Sequence, residues 1–225
     1  MSAGDASNAA SVVEAPPQPG RDCPKCPRLV AFRADNRERF PEFHNAPVPA
    51  FGRLDARLLI VGLAPGLKGA NQTGRPFTGD YAGDLLYRTL LDLGFAEGDY
   101  RRRADDGLRL ADCRITNAVR CVPPENKPAT EEIRSCGVFL AAEIAAMHRL
   151  EAVLALGAVA HGAVLAALGL RRNGYPFGHG ATHGLPNGLV LTDSYHCSRY
   201  NTNTGRLTEE MFRAVLAGLR ARLDR

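Results

Sequence analysis

A chain of 225 residues, 45% hydrophobic and 23% charged, can build one α/β domain with a sizeable core, and no apolar run approaches the ~18 residues of a membrane span. The net charge of +4 admits a polyanionic partner without requiring one. The first twenty residues carry Asp5 and Glu14 and lack a basic segment leading into an apolar stretch, so no secretory signal is expected and the chain is read as cytoplasmic. Six cysteines in that setting point to metal ligation or free thiols and away from disulfides.

Residues 1–20 are rich in Ala, Ser, Pro and Gly without periodicity and are expected to form a disordered tail; residues 21–225 read as one domain without repeats. Cys23 and Cys26 form a C-x-x-C pair at its start. The aliphatic run 57–61 predicts a first strand, followed by a glycine-rich loop over 62–80. Leu85, Leu86, Thr89, Leu90 and Leu93 then share one helix face. A second strand is expected over 113–119. A helix should begin near Thr130, with Glu131 and Glu132 in its favourable first turn, and run to about Leu150. Residues 152–156 predict a third strand, 158–168 a buried helix, and 188–192 a fourth strand. The last helix starts after Thr208, a suitable N-cap. This alternation predicts a four-stranded parallel sheet flanked by helices, with sites beyond the carboxyl ends of its strands. Those ends are 62–80, 117–126, the Gly157 turn and 193–206.

The stretch "GLAPGLKGANQTGRPFTGD" follows a strand and precedes a helix, as phosphate loops do. It fits neither G-x-x-x-x-G-K-[ST] nor G-x-G-x-x-G, and Pro65 removes a backbone donor from the turn. An aromatic ring, Phe77, beside a glycine-lined turn suits a flat heterocycle better, although a core position would explain Phe77 equally well. Asn117 at the next strand end can offer both a donor and an acceptor to a base edge. His196 follows the fourth strand in "DSYHCSRYNTNTG". Cys197 beside it should point the opposite way, which argues against a Cys/His nucleophile. Cys121 and Cys136 lie far from the C-x-x-C pair; one tight pair and two wide-set cysteines can hold zinc or a [4Fe–4S] cluster, and spacing does not choose.

Four ordered segments together resemble the uracil-DNA glycosylase superfamily, in its iron–sulfur-containing family 5 (type b): "DCPKCPRLVAFR", "GLAPGLKGANQTGRPFTGD", "NAVRCVPPENKPATEEIRSC" and "SYHCSRYNTNTGRLT". The resemblance implies hydrolysis of the N-glycosidic bond of uracil in DNA, with hypoxanthine or other deaminated bases also accepted, by a monomer that associates with the nucleoid when bound to DNA. It implies one [4Fe–4S] cluster per chain on Cys23, Cys26, Cys121 and Cys136. It places Phe77 on the flipped base, Asn117 at the base edge and His196 at the leaving group. Gly62, Ala64, Pro65, Gly66, Asn126, Ser198 and Arg199 are expected to complete the substrate pocket. Members of the superfamily often carry an acid or amide just after the first glycine of motif one; here Leu63 and Ala64 stand there, leaving Asp80 or a backbone carbonyl near Pro65 to position water. That departure keeps open a non-catalytic, damaged-DNA-binding iron–sulfur protein as the alternative. A redox or zinc regulator would leave the strand-end motifs without a use.

Overall fold

The computed structural model describes residues 15–225. Of the expected tail, residues 1–14 lie outside the described residues. Residues 15–20 have no regular secondary structure, yet Pro16 is buried and Gln18 Oε1 accepts from Arg120 Nη1 at 3.1 Å.

In chain order the elements are α1 (Pro27–Arg39), β1 (Leu58–Gly62), α2 (Ala70–Thr73), α3 (Tyr81–Asp92), β2 (Ala96–Glu97), β3 (Arg109–Leu110), β4 (Cys113–Asn117), α4 (Thr130–Ala146), β5 (Ala152–Leu156), α5 (Ala158–Ala167), β6 (Thr182–Gly184), β7 (Val190–Ser194), α6 (Arg199–Asn203) and α7 (Glu209–Leu223). The sheet has five strands in the order β4-β1-β5-β7-β6. β4, β1, β5 and β7 are parallel, and β6 pairs antiparallel with β7. This corrects the expected four-stranded, all-parallel sheet. β6 escapes a sequence reading because its three residues, Thr-His-Gly, are a short polar edge with no apolar alternation.

β1, β5 and β7 are buried along their whole length, which is why they read as continuous apolar runs. Successive β1 side chains go to opposite layers. Leu58 and Ile60 join Leu85, Leu86 and Leu90 of α3 and Phe212, Leu216 and Leu219 of α7. Leu59 and Val61 join Leu140 and Ile144 of α4 and Val164 of α5. The second strand ends at Asn117, earlier than expected, because the N–H of Ala118 turns to the Gly62 carbonyl and that of Val119 to the Leu63 carbonyl. The fourth runs to Ser194, two residues beyond the apolar stretch. Thr208 caps α7 by accepting from the Met211 N–H. The carboxyl ends of the four parallel strands therefore share one edge of the sheet. Among the described residues no helix is long and apolar enough to cross a membrane.

Candidate active site

A cleft of about 910 Å³ opens at that edge. Its walls come from all four strand ends: Leu63, Ala64, Gly66–Gly69 and Gly79–Ala82, Asn126, Leu156–Val159, and His196 with Ser198 and Arg199. The expected residues Ala64, Gly66, Asp80, Asn126, His196, Ser198 and Arg199 thus meet on one surface. Phe77, Asn117, Gly62 and Pro65 are buried, off the lining itself. The Phe77 ring stacks on that of His196, with centroids 5.8 Å apart and planes at 27°. Phe77 also belongs to the apolar core.

The glycines of the loop serve close approach. A Cβ at Gly62 would stand 2.4 Å from both Asn117 Oδ1 and the Phe77 ring, so this glycine lets the two side chains press onto the β1 terminus. A Cβ at Gly69 would lie 2.3 Å from Asp80 Oδ2. A carboxylate against the loop backbone is the opposite of a phosphate cradle, which settles the question the glycine spacing raises. Asn117 Oδ1 is buried without a hydrogen-bond partner among the described residues. An orphaned buried acceptor costs about 1–3 kcal/mol, which a donor from a bound ligand would remove.

Asp80 caps α3, accepting from the Gly83 N–H at 3.1 Å. Burial pushes its carboxyl above the ordinary carboxylate range. Burial lowers the His196 imidazole to about 4, so the ring is neutral at pH 7 and carries one N–H. Neither ring nitrogen has a protein partner among the described residues; the loop is held through the His196 carbonyl, which accepts from Asn201 Nδ2 at 2.8 Å. Cys197 is fully buried, its thiol directed at the Ala82 carbonyl and pushed far above its usual pKa, so it is no nucleophile.

These shifts fix the sign of a pH dependence. If Asp80 acts as a carboxylate and His196 as a neutral donor, any catalysed rate should be level around neutrality and fall on the acid side. The fall should centre above the ordinary Asp value of 3.8. Asp80→Asn should remove that limb while retaining a measurable rate at neutral pH. A pH–rate profile centred near 6.5, the ordinary imidazole value, would show that His196 is not shielded from water.

On the flank of the cleft, Cys23, Cys26, Cys121 and Cys136 line one chamber with Leu29, Arg33, Val119 and Phe139. Cys26 is the N-cap of α1, at the positive end of the helix dipole, and Pro27 starts the helix. Leu29, Arg33 and Asn36 form the buried face of α1. Glu132 joins the starts of α1 and α4, taking Arg28 Nε at 2.8 Å and the Ala129 N–H at 2.7 Å. The Arg120 N–H points at Cys136 Sγ at 3.3 Å, and Arg33 Nη1 at Cys121 Sγ at 3.7 Å. Arg33 is 4% exposed, and its partners are that sulfur and the Cys23 carbonyl. A buried guanidinium without a carboxylate calls for another anion, which metal-bound thiolates would supply. Burial pushes the Cys26, Cys121 and Cys136 thiols up, Cys121 to about 12. Among the described residues, the group of three His, Cys, Asp or Glu whose ligand atoms lie within 4.8 Å of one another is His161, His183 and Asp193. No three of the four sulfurs lie that close, whereas tetrahedral zinc would draw them to about 3.8 Å. The four sulfurs, with the Arg33 guanidinium and the Arg120 N–H beside them, form a donor set able to hold a metal centre. The His161 group is accounted for by hydrogen bonds: Nδ1 faces Asp193 Oδ1 at 2.8 Å, Nε2 faces the Tyr175 carbonyl at 2.9 Å, and His183 Nε2 faces the Pro176 carbonyl at 3.1 Å.

The sequence profile described as "Uracil DNA glycosylase superfamily" matches residues 49–220. The chain belongs to the uracil DNA glycosylase superfamily. It is 47% identical over 199 residues to the type-5 uracil-DNA glycosylase of Thermus thermophilus, covering 86% of this chain and 90% of that one. A type-5 uracil-DNA glycosylase of Pyrobaculum aerophilum is 41% identical over 199 residues, 87% of this chain and 86% of the other. A type-4 uracil-DNA glycosylase of the same organism is 32% identical over 152 residues, 67% and 63% of the two chains.

Within this superfamily member, other residues reach the rim that the sequence did not single out. Lys68 and Tyr81 line the cleft, and Arg199 lies over the Tyr81 ring at 5.5 Å. Tyr200, 72% exposed on α6, stands next to Arg199. An aromatic residue following an arginine in a polar loop was the available signal. The first turn of α5 presents Ala158 and Val159 to the cleft, bringing the positive end of its dipole there. Away from the cleft, Arg102 and Arg103 are paired with Asp84 and Asp105.

Proposed function

We propose that this protein is a monofunctional uracil-DNA glycosylase of the type-5 kind. It hydrolyses the N-glycosidic bond of uracil in DNA, as base-excision repair requires, leaves an abasic site, and also admits hypoxanthine or other deaminated bases. The observation that carries this reading is a histidine of the cleft stacked on a buried phenylalanine behind it, with a half-buried carboxylate on the same cleft wall. A duplex hides the bond, so the nucleotide must leave the stack and enter the cleft. Phe77 takes the face of the base, and the uracil N3–H would satisfy Asn117 Oδ1. Exposed Tyr200 is placed to fill the gap in the stack. Lys68 and Arg199 on the rim supply phosphate contacts that carry no sequence information.

Bond cleavage sends the electron pair to the base and leaves an oxocarbenium-like sugar. An N–H of His196 meets the oxygen on which the negative charge develops, and the α5 dipole adds to that field. Water held by Asp80 adds to C1′ and gives its proton to the Asp80 carboxylate, while the departing base anion takes up a proton from solvent. A cation of this kind needs little nucleophilic assistance, so Leu63 and Ala64 in place of an acid or amide are tolerable. The protein binds as a monomer. Its chamber would hold one [4Fe–4S] cluster on Cys23, Cys26, Cys121 and Cys136; when bound, the cluster ties α1 to the segments on either side of α4's start, and no step of excision passes through it.

The test is incubation with a duplex carrying one uracil, then alkali. Strand cleavage at the uracil is the expected result. Binding without cleavage would favour the non-catalytic reading instead. Phe77→Ala should slow processing by the loss of one base–aromatic stack, on the order of 1–3 kcal/mol. Unchanged kinetics in a folded variant would assign Phe77 to core packing alone.

A further inference from the structure

We propose that Arg75 is a positioning residue for base stacking: paired with Asp106, it holds the turn that presents Phe77 to the cleft. This rests on the reading of Phe77 as the stacking ring. Phe77 has φ 52°, in the left-handed region that a bulky residue adopts only when its surroundings over-determine it. The surroundings do so. Tyr87 Oη donates to the Pro76 carbonyl at 2.6 Å, Tyr100 Oη to the Phe77 carbonyl at 3.3 Å, and Thr73 Oγ1 to the Thr78 carbonyl at 3.1 Å. Three consecutive carbonyls across the turn are therefore fixed from the protein side. On the far side α3 packs so tightly that a Cβ at Gly83 would stand 1.7 Å from the Phe77 carbonyl oxygen.

Arg75 is the hub of this arrangement. It is 4% exposed and forms a two-pronged pair with Asp106, Nη1 to Oδ1 and Nη2 to Oδ2, both at 2.8 Å. Its Nε reaches Thr78 Oγ1 at 2.8 Å, next to Phe77, and Nη1 also reaches the Ala104 carbonyl at 3.4 Å. Its guanidinium lies over the rings of Phe51, Tyr87 and Tyr100 at 5.1, 5.3 and 5.9 Å, two of which are the turn's own donors. Asp106 is itself pinned by the N–H groups of Arg101 at 2.9 Å and Leu108 at 3.1 Å. One planar cation thus orders both tyrosines that shape the turn and Thr78, the residue after Phe77. A lysine, with one ammonium and no plane, could not replace it. Arg75 does not line the cleft, so its effect on a substrate must pass through Phe77.

The experiment is a double-mutant cycle on the full chain, using a uracil duplex and enzyme in excess. Arg75→Met should slow excision about tenfold, the order of a lost base–aromatic stack, with duplex affinity unchanged. The Arg75→Met/Phe77→Ala double variant should be no slower than Phe77→Ala alone. Losses that multiply, or a parental rate in Arg75→Met, would overturn the proposal while leaving the stacking role intact. Full activity in Phe77→Ala would overturn both. Asp106→Asn, nearly isosteric, carries the same cycle where Arg75→Met does not fold.

Discussion

His196→Ala is expected to lower single-turnover uracil excision by roughly 10²–10³, the usual cost of removing one preorganised donor from a developing anion. The loss should fall on turnover, because the charge it meets exists only as the bond breaks. Duplex affinity should change little, since it comes from phosphate contacts around the rim. The structure sharpens the argument. Burial holds the ring neutral, with a pKa of about 4, and leaves both its nitrogens without a protein partner. A neutral imidazole that faces the cleft with no protein partner on its ring nitrogens, among the described residues, can donate to a bound base without breaking an internal hydrogen bond. His196→Asn should recover part of the rate, because an amide N–H also donates. A parental rate in His196→Ala beside an inactive Asp80→Asn would transfer the dominant role to water activation.

Cys121→Ser is expected to abolish accumulation of soluble protein. Protein isolated without oxygen should be brown and carry about four irons per chain. The structure gives the reason for so large an effect. Arg33 is buried with a thiol and a carbonyl as its partners, and Leu29 of the same helix packs in this chamber with Val119, Cys136 and Phe139. Loss of one ligand would leave a buried cation unbalanced as well as a metal centre incomplete, and either alone is severe. Stoichiometric zinc with no iron would contradict the cluster assignment.

The sheet was legible where burial is two-sided. "LLIVG" and "AVLAL" can be little other than central strands, and their ends located the cleft before any coordinates. Thr208 marked α7 because an N-cap is a local signal. α1 was not legible: its buried face consists of Leu29, Arg33 and Asn36, so its pattern is that of a solvated basic segment. Arg75 and Asp106 were hidden for a related reason. They are 31 residues apart in glycine-rich and charged surroundings, and only the fold shows that both are buried. The Asp80 contact with Gly69 needed the loop's path, which glycine spacing alone does not specify.

The most direct test of the account counts free base. With enzyme in excess over a duplex containing one uracil, the account predicts one free uracil for each alkali-labile site. It predicts none from the same duplex with thymine in that position. DNA held in a stable complex, with the uracil still attached to its sugar, would contradict it.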